Sequence, residues 1–167
     1  MKTDIDLSLV SDNTLNQAVT LIHKIFPKTT PREDPDLWFK LSTDPQKFAD
    51  QIKDGGCRDV RYFVATDKET GQVIGTTGLY HMLEDPQSVV WLGWFCVDPQ
   101  YRRQGIGTYL LNWTIEKAKQ ENESKLLLYT SEEESPEAQI LYAKFGFKTT
   151  KTQIEDGNLV TYKELQL

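Results

Sequence analysis

Residues Val97 to Ala118 read VDPQYRRQGIGTYLLNWTIEKA, and the chemistry on offer there is anion binding. An apolar run ends at Val97, Gly105 and Gly107 make a turn, and a helical pattern starts at once. Several unpaired backbone N–H groups would then gather at the positive end of a helix dipole. Glycine serves twice in such a turn: it admits unusual φ, and it lets a phosphate approach backbone that carries no Cβ. The same spacing also serves an ordinary tight strand-to-helix turn. A P-loop is excluded because no Gly-Lys-Ser/Thr ending is present, and a dinucleotide fingerprint because position 110 is leucine where its third glycine belongs.

The other reactive side chains are scattered. Cys57 and Cys96 stand in unlike contexts and make no metal-like spacing with His23 or His81, so reduced thiols, no disulfide and no metal are expected. Cys96 has no activating partner near it in sequence and reads as a buried apolar residue. Glu84 and Asp85 follow the apolar run TTGLYHM, either as solvated turn charges or as carboxylates at the rim of a site, and Glu132–Glu134 read as a solvated acidic turn. Trp38, Tyr80, Trp91 and Trp94 form an aromatic set. Trp91 and Trp94 share one β-rich run, where alternation sends them to opposite faces unless a bulge intervenes.

The elements that would position these groups alternate between strand and helix. With 167 residues, 38% hydrophobic and 26% charged, the chain reads as one compact domain over residues 1–167. Charged residues punctuate the first thirty positions, so neither a signal peptide nor a membrane span is expected, and the location expected is cytoplasmic. A net charge of -6 disfavours nucleic acid and anionic membrane as partners. The pattern predicts a strand at 4–10, a helix capped by Asn13 or Thr14, and two short helices opening at Asp34-Pro35 and Asp44-Pro45. Three antiparallel strands follow: VRYFVAT, QVIGTTGLYHM and SVVWLGWFCV. Then come a helix over 105–121, the strand KLLLYT, a helix from Ser135-Pro136 to Gly146, and closing strands near 147–155 and 159–165.

Two segments carry a family resemblance. VDPQYRRQGIGTYLL resembles the acyl-CoA-binding motif of the GCN5-related N-acetyltransferases, whose core is Arg or Gln, two residues, Gly, any residue, then Gly or Ala; here that is Arg102 to Gly107. Downstream, AQILYAKFGF (138–147) is similar to the segment in which a helix bearing Leu-Tyr ends at Gly-Phe. The resemblance implies an α/β fold with a mixed, mostly antiparallel, twisted sheet and helices on both faces. Its fourth and fifth strands, 88–97 and 125–130, would splay around the pantetheine arm of the co-substrate acetyl-CoA.

By the same resemblance the backbone of Arg103, Gln104, Gly105, Ile106, Gly107 and Thr108 would cradle the pyrophosphate, and Phe95, Cys96 and Val97 would pair with the pantetheine. Arg102 would brace the loop or meet phosphate, and Tyr142 would protonate the departing thiolate. Two positions depart from the pattern. Ser135 stands where many members carry an asparagine that contacts the cofactor arm, and Trp91 stands where several carry a basic glutamate. Glu84, with Asp85, is then the nearest candidate base, beside His81 or a chain of waters. The implied activity is N-acetyl transfer from acetyl-CoA to an amine of a small molecule, amino acid or peptide, by direct attack in a ternary complex. The alternative is a CoA-binding sensor or regulatory module without turnover. A homodimer is compatible with either.

Overall fold

The computed structural model describes residues 3–27, 33–131, 136–155 and 157–167. In chain order the elements are β1 (Ile5–Leu9), α1 (Asp12–Ile25), α2 (Pro35–Ser42), α3 (Ala49–Asp54), β2 (Cys57–Asp67), β3 (Val73–Met82), β4 (Val89–Leu92) and β5 (Cys96–Val97). A 3-10 turn at Pro99–Tyr101 leads into α4 (Ile106–Gln120), followed by β6 (Lys125–Ser131), α5 (Pro136–Lys144), β7 (Lys148–Glu155) and β8 (Asn158–Gln166). Ser135 and Glu132–Glu134 lie outside the described residues.

One sheet carries the strands in the order β1-β2-β3-β4-β6-β8-β7, with β5 added to β3. Among the described residues only β4 and β6 run parallel, and the other pairings are antiparallel, the three consecutive strands β2, β3 and β4 among them as the sequence predicts. Two apolar layers flank it. Ala18, Leu21 and Ile22 of α1, Phe39 and Leu41 of α2 and Ile52 of α3 pack on Val60, Tyr62 and Val64. On the opposite face Leu111, Ile115 and Ala118 of α4 and Tyr142 of α5 pack on Leu79, Val90, Leu126 and Leu128. Each large apolar side chain buried this way contributes roughly 1.5–3 kcal/mol. A hydrogen bond of 2.7 Å between the Thr77 and Thr114 hydroxyls ties α4 to β3 within the second layer.

The helix starts show where local chemistry decides and where it does not. Asp34 caps α2 as expected, its carboxylate accepting from the N–H groups of Asp36 and Leu37, with Pro35 at the first helical position. For α1 the cap is Ser11, and Thr14 plays the reciprocal part by accepting the Ser11 N–H at 3.0 Å. Asp44-Pro45 opens a turn rather than a helix: Asp44 accepts from Lys47 N–H and Phe48 N–H, and α3 starts only at Ala49. Gly146 takes φ 88 just past α5, the left-handed position that spares a Cβ clash.

Candidate active site

The glycine turn is built from backbone. Asp98 caps the 3-10 turn, one carboxylate oxygen accepting Gln100 N–H at 2.9 Å and the other meeting Lys24 Nζ at 2.8 Å. Arg102 Nε donates to the Val97 carbonyl at 3.2 Å, which braces the loop. Arg103 has φ 60, and Gly105, the N-cap of α4, has φ 84. A Cβ on Gly105 would meet nothing within 4 Å, so the backbone angle demands the glycine and the space outside it is open. Ile106 anchors the turn at 1% exposure, while Gln104 accepts the Thr3 hydroxyl at 2.9 Å. The first helical N–H to find a partner is that of Tyr109, on the Gly105 carbonyl. Among the described residues, the N–H groups of 103 through 108 have no acceptor. They form a row of donors at a helix start, which suits an anion with several oxygens.

Beside this turn the sheet opens. The β4–β6 pairing runs from Val89↔Lys125 to Trp91↔Leu127 and stops. The expected single strand 88–97 is two short ones, because Gly93 N–H bonds the Gly78 carbonyl, Trp94 turns to φ 44, and Cys96 and Val97 rejoin β3 opposite Thr76 and Gly75. The Thr76 hydroxyl holds the Trp94 carbonyl at 2.5 Å and so fixes the irregularity. Asp98 N–H reaches the Ile74 carbonyl, so strand alternation turns the N–H groups of Phe95 and Val97 away from β3, toward the opening. Cys96 is buried against the Thr76 hydroxyl, and burial pushes its thiol up to about 11, which leaves it unreactive.

Tyr142 borders the opening from α5. Its ring lies 6.0 Å from Phe95 and 5.6 Å from Phe147, and its hydroxyl has no hydrogen-bond partner among the described residues. Burial, with the neighbouring Cys96 adding to it, pushes the phenol above its ordinary value. It is a neutral proton donor at physiological pH.

The opposite face of the sheet carries an aromatic cluster. Trp91 stacks with Tyr80 at 6.1 Å and meets Tyr129 and Tyr162, each at 6.3 Å. Trp94 reaches the same layer because of the irregularity, packing on Phe26 at the C-cap of α1, while Trp38 lies over Gly55 at the end of α3. Trp91 Nε1 donates to Asp85 at 2.6 Å, and Arg58 pins that turn by donating to the Met82 and Asp85 carbonyls. Glu84 is exposed, with no side-chain partner among the described residues. His81 points to the α4 face, its Nδ1 2.5 Å from Asp59 and its Nε2 2.8 Å from Glu123, away from the ring cluster.

A sequence model of the Acetyltransferase (GNAT) family matches residues 17–147. The chain belongs to this family. Solved structures agree in fold. A GNAT acetyltransferase from Staphylococcus aureus Mu50 superposes with a TM-score of 0.72 at 19% identity, over 98% of this chain and 100% of that one. Arabidopsis thaliana NAA60, solved with a bisubstrate analogue, gives 0.73 at 16% identity over 98% of each chain. The PaiA N-acetyltransferase of Thermoplasma acidophilum, solved with coenzyme A, gives 0.63 at 16% over 97% and 99%. No curated protein sequence matches the chain.

In this GNAT chain the positions read from the sequence fall into three groups. Phe95, Cys96, Val97 and Tyr142 border the strand opening, and residues 102–108 form the turn at its end. Glu84 sits exposed in the β3–β4 turn, next in sequence to the Asp85 that accepts from Trp91. The sequence reading missed Tyr129 and Tyr162, which face one another across β6 and β8, and the carboxylates that hold their hydroxyls, Glu33 and Glu155. The signal available was strand parity: Leu126 and Leu128 pack on the α4 side, so Tyr129 must face the other way.

Proposed function

We propose that the protein transfers the acetyl group of acetyl-CoA to an amine, the two substrates meeting where β4 and β6 part. The observation that carries this reading is the row of acceptorless N–H groups at 103–108, beside a strand opening bordered by the buried phenol of Tyr142. The row fits a pyrophosphate: six donors, a left-handed glycine with open space outside it, and the start of a 15-residue helix. Acetyl-CoA supplies the activated thioester. The outward N–H groups of Phe95 and Val97 would hold the extended arm as a strand holds its neighbour, and orient the carbonyl. Tyr142 would return a proton to the thiolate.

The acceptor must lose a proton first. With an ordinary pKa near 10.4, only roughly one alkylamine in a thousand is free near neutral pH. A base is therefore needed, and the β3–β4 turn offers two carboxylates. Asp85, on the Trp91 indole, is better placed than the exposed Glu84. His81 is held on the far face by its two carboxylates and is assigned no part in the transfer.

Trp91, in the place where several relatives carry glutamate, favours a second reading, a CoA-binding sensor without turnover. Release of free CoA from acetyl-CoA, followed with a thiol reagent across amines, amino acids and peptide N-termini, separates the two. The transferase reading expects amine-dependent release. Binding of acetyl-CoA with no release by any acceptor would leave the sensor.

A further inference from the structure

Four rings lie together on the α1/α2 face where β4 and β6 part: Tyr80, Trp91, Tyr129 and Tyr162. Their polar edges share one feature. The Trp91 indole donates to Asp85, the Tyr129 hydroxyl to Glu33 and the Tyr162 hydroxyl to Glu155, each at 2.6 Å. These carboxylates come from three separate parts of the chain: the approach to α2, the β3–β4 turn and the end of β7. A phenol or indole that donates to an anion gains electron density, so its face attracts a cation more strongly. The cluster is also open, with Tyr129 42% exposed and Trp91 and Tyr162 half-buried. One of its rings already takes an ammonium, since Lys151 Nζ stands 5.5 Å from the Tyr162 centroid.

We propose that this cluster holds a second positive charge on the acceptor, so that the substrate is an aliphatic diamine or polyamine rather than a monoamine. The inference rests on the acetyl-transfer reading and deepens it by naming the substrate class. One amino group would lose its proton and attack the thioester carbonyl, forming the amide bond as the carbon–sulfur bond breaks. Its first proton would pass to a carboxylate of the β3–β4 turn before attack; the leaving sulfur would take one from Tyr142, and the proton shed by the nitrogen as the amide forms would restore the phenol. The other amino group would stay charged on the faces of Trp91 and Tyr129. A purely apolar body would satisfy the rings but would strip water from the carboxylates at their edges, Asp85 on the indole above all, and would bring no charge of its own in return. An acidic substrate would be repelled by the same three groups. A methylene chain ending in an ammonium meets both demands, its stem on ring surface and its charge between ring face and carboxylate.

The test compares 1,4-diaminobutane with butylamine and with 4-amino-1-butanol, a neutral-ended counterpart. Binding to the CoA-loaded protein is measured by calorimetry, and acetyl-CoA turnover is followed in parallel. The expected result is a preference for the diamine of about tenfold or more in affinity and in kcat/KM, the scale of one desolvated cation–ring contact. Glu33→Gln, which keeps shape and removes charge, should bring the diamine-to-monoamine ratio toward one. Trp91→Leu should do the same, and because Glu33→Gln leaves the core packing untouched, the test does not depend on the Trp91 variant folding. Equal binding of all three amines overturns the proposal, even if each is acetylated. A diamine preference in binding without any turnover would uphold the cation site while removing the transferase reading.

Discussion

The two faces of the sheet meet the same opening with different materials. On the α4/α5 face the groups that the proposed function uses are main chain: the N–H row of 103–108 and the outward N–H groups of Phe95 and Val97. On the α1/α2 face it is side chain: four rings and three carboxylates drawn from β3, β4, β6, β8 and the segments around them. Backbone donors care about the φ of a glycine and little about neighbouring side chains, so a cofactor common to many relatives can be bound while the rest of the sequence drifts. Side-chain contacts can be exchanged one at a time. That division suits an enzyme family with one fixed donor and many acceptors.

The largest expected effect lies at the junction of the two faces. Tyr142→Phe keeps the ring against Phe95 and Phe147 and removes only the hydroxyl, so fold and CoA affinity should persist. The kcat should fall by about 10²–10⁴, the usual contribution of a general acid, read in single-turnover assays so that product release does not mask it. A variant that matches the parent in that assay would return Tyr142 to simple packing.

A second variant sharpens the contrast between the faces. Trp91→Ala should raise the acceptor KM about tenfold and leave the acetyl-CoA KM within a factor of two or so, because the lost contacts belong to the face proposed for the acceptor. Equal rises in both constants would mean that the two faces are not independent.

A third prediction concerns stability and leaves the opening untouched. The hydrogen bond to Asp59 raises the pKa of His81, with Glu123 adding to it, although burial works against the shift. Burial would raise Asp59, but the His81 hydrogen bond and the nearby Arg61 outweigh it and hold the carboxyl low. A group whose folded pKa is raised gives stability that is complete below its unfolded value, near 6.5, and is lost as pH rises through the folded value. Neutral imidazole has a single N–H and can serve only one of the two carboxylates. Unfolding free energy should therefore drop on the order of 1 kcal/mol between pH 6 and 9 by this route, and His81→Asn should flatten the slope. A slope unchanged in the variant would place the titration elsewhere.

How much could be read in advance follows from the same division of materials. The glycine turn, α4 and the Leu141-Tyr142 helix are local patterns, and they stand within a residue or two of where periodicity put them. The break inside residues 88–97 is not local. It depends on Thr76 holding the Trp94 carbonyl and on Gly93 bonding Gly78, contacts across the sheet that no run of ten residues reveals. Parity did expose the tension, since Trp91 and Trp94 can share a layer only if the strand is interrupted. Asp44-Pro45 misled because a helix start and a tight turn use the same two residues; here Asp44 closes a turn, and α3, which buries Ile52, starts only at Ala49. Half of the ring cluster, Tyr80 and Trp91, stood out in the sequence, and the rest was missed because its partners are remote: Glu33 and Tyr129 are 96 positions apart, and the β6–β8 register brings Tyr162 beside Tyr129.

The central claim, that backbone donors at 103–108 hold the co-substrate, is tested most directly by titrating CoA into the parent and into Gly105→Glu by calorimetry, with circular dichroism confirming that both are folded. The substitution puts a side chain and a negative charge into the open space outside the turn, at a φ of 84 that also disfavours any Cβ. The account predicts that CoA binding weakens by at least about a hundredfold while the fold persists. Unchanged affinity in the folded variant would contradict it and move the cofactor off this turn.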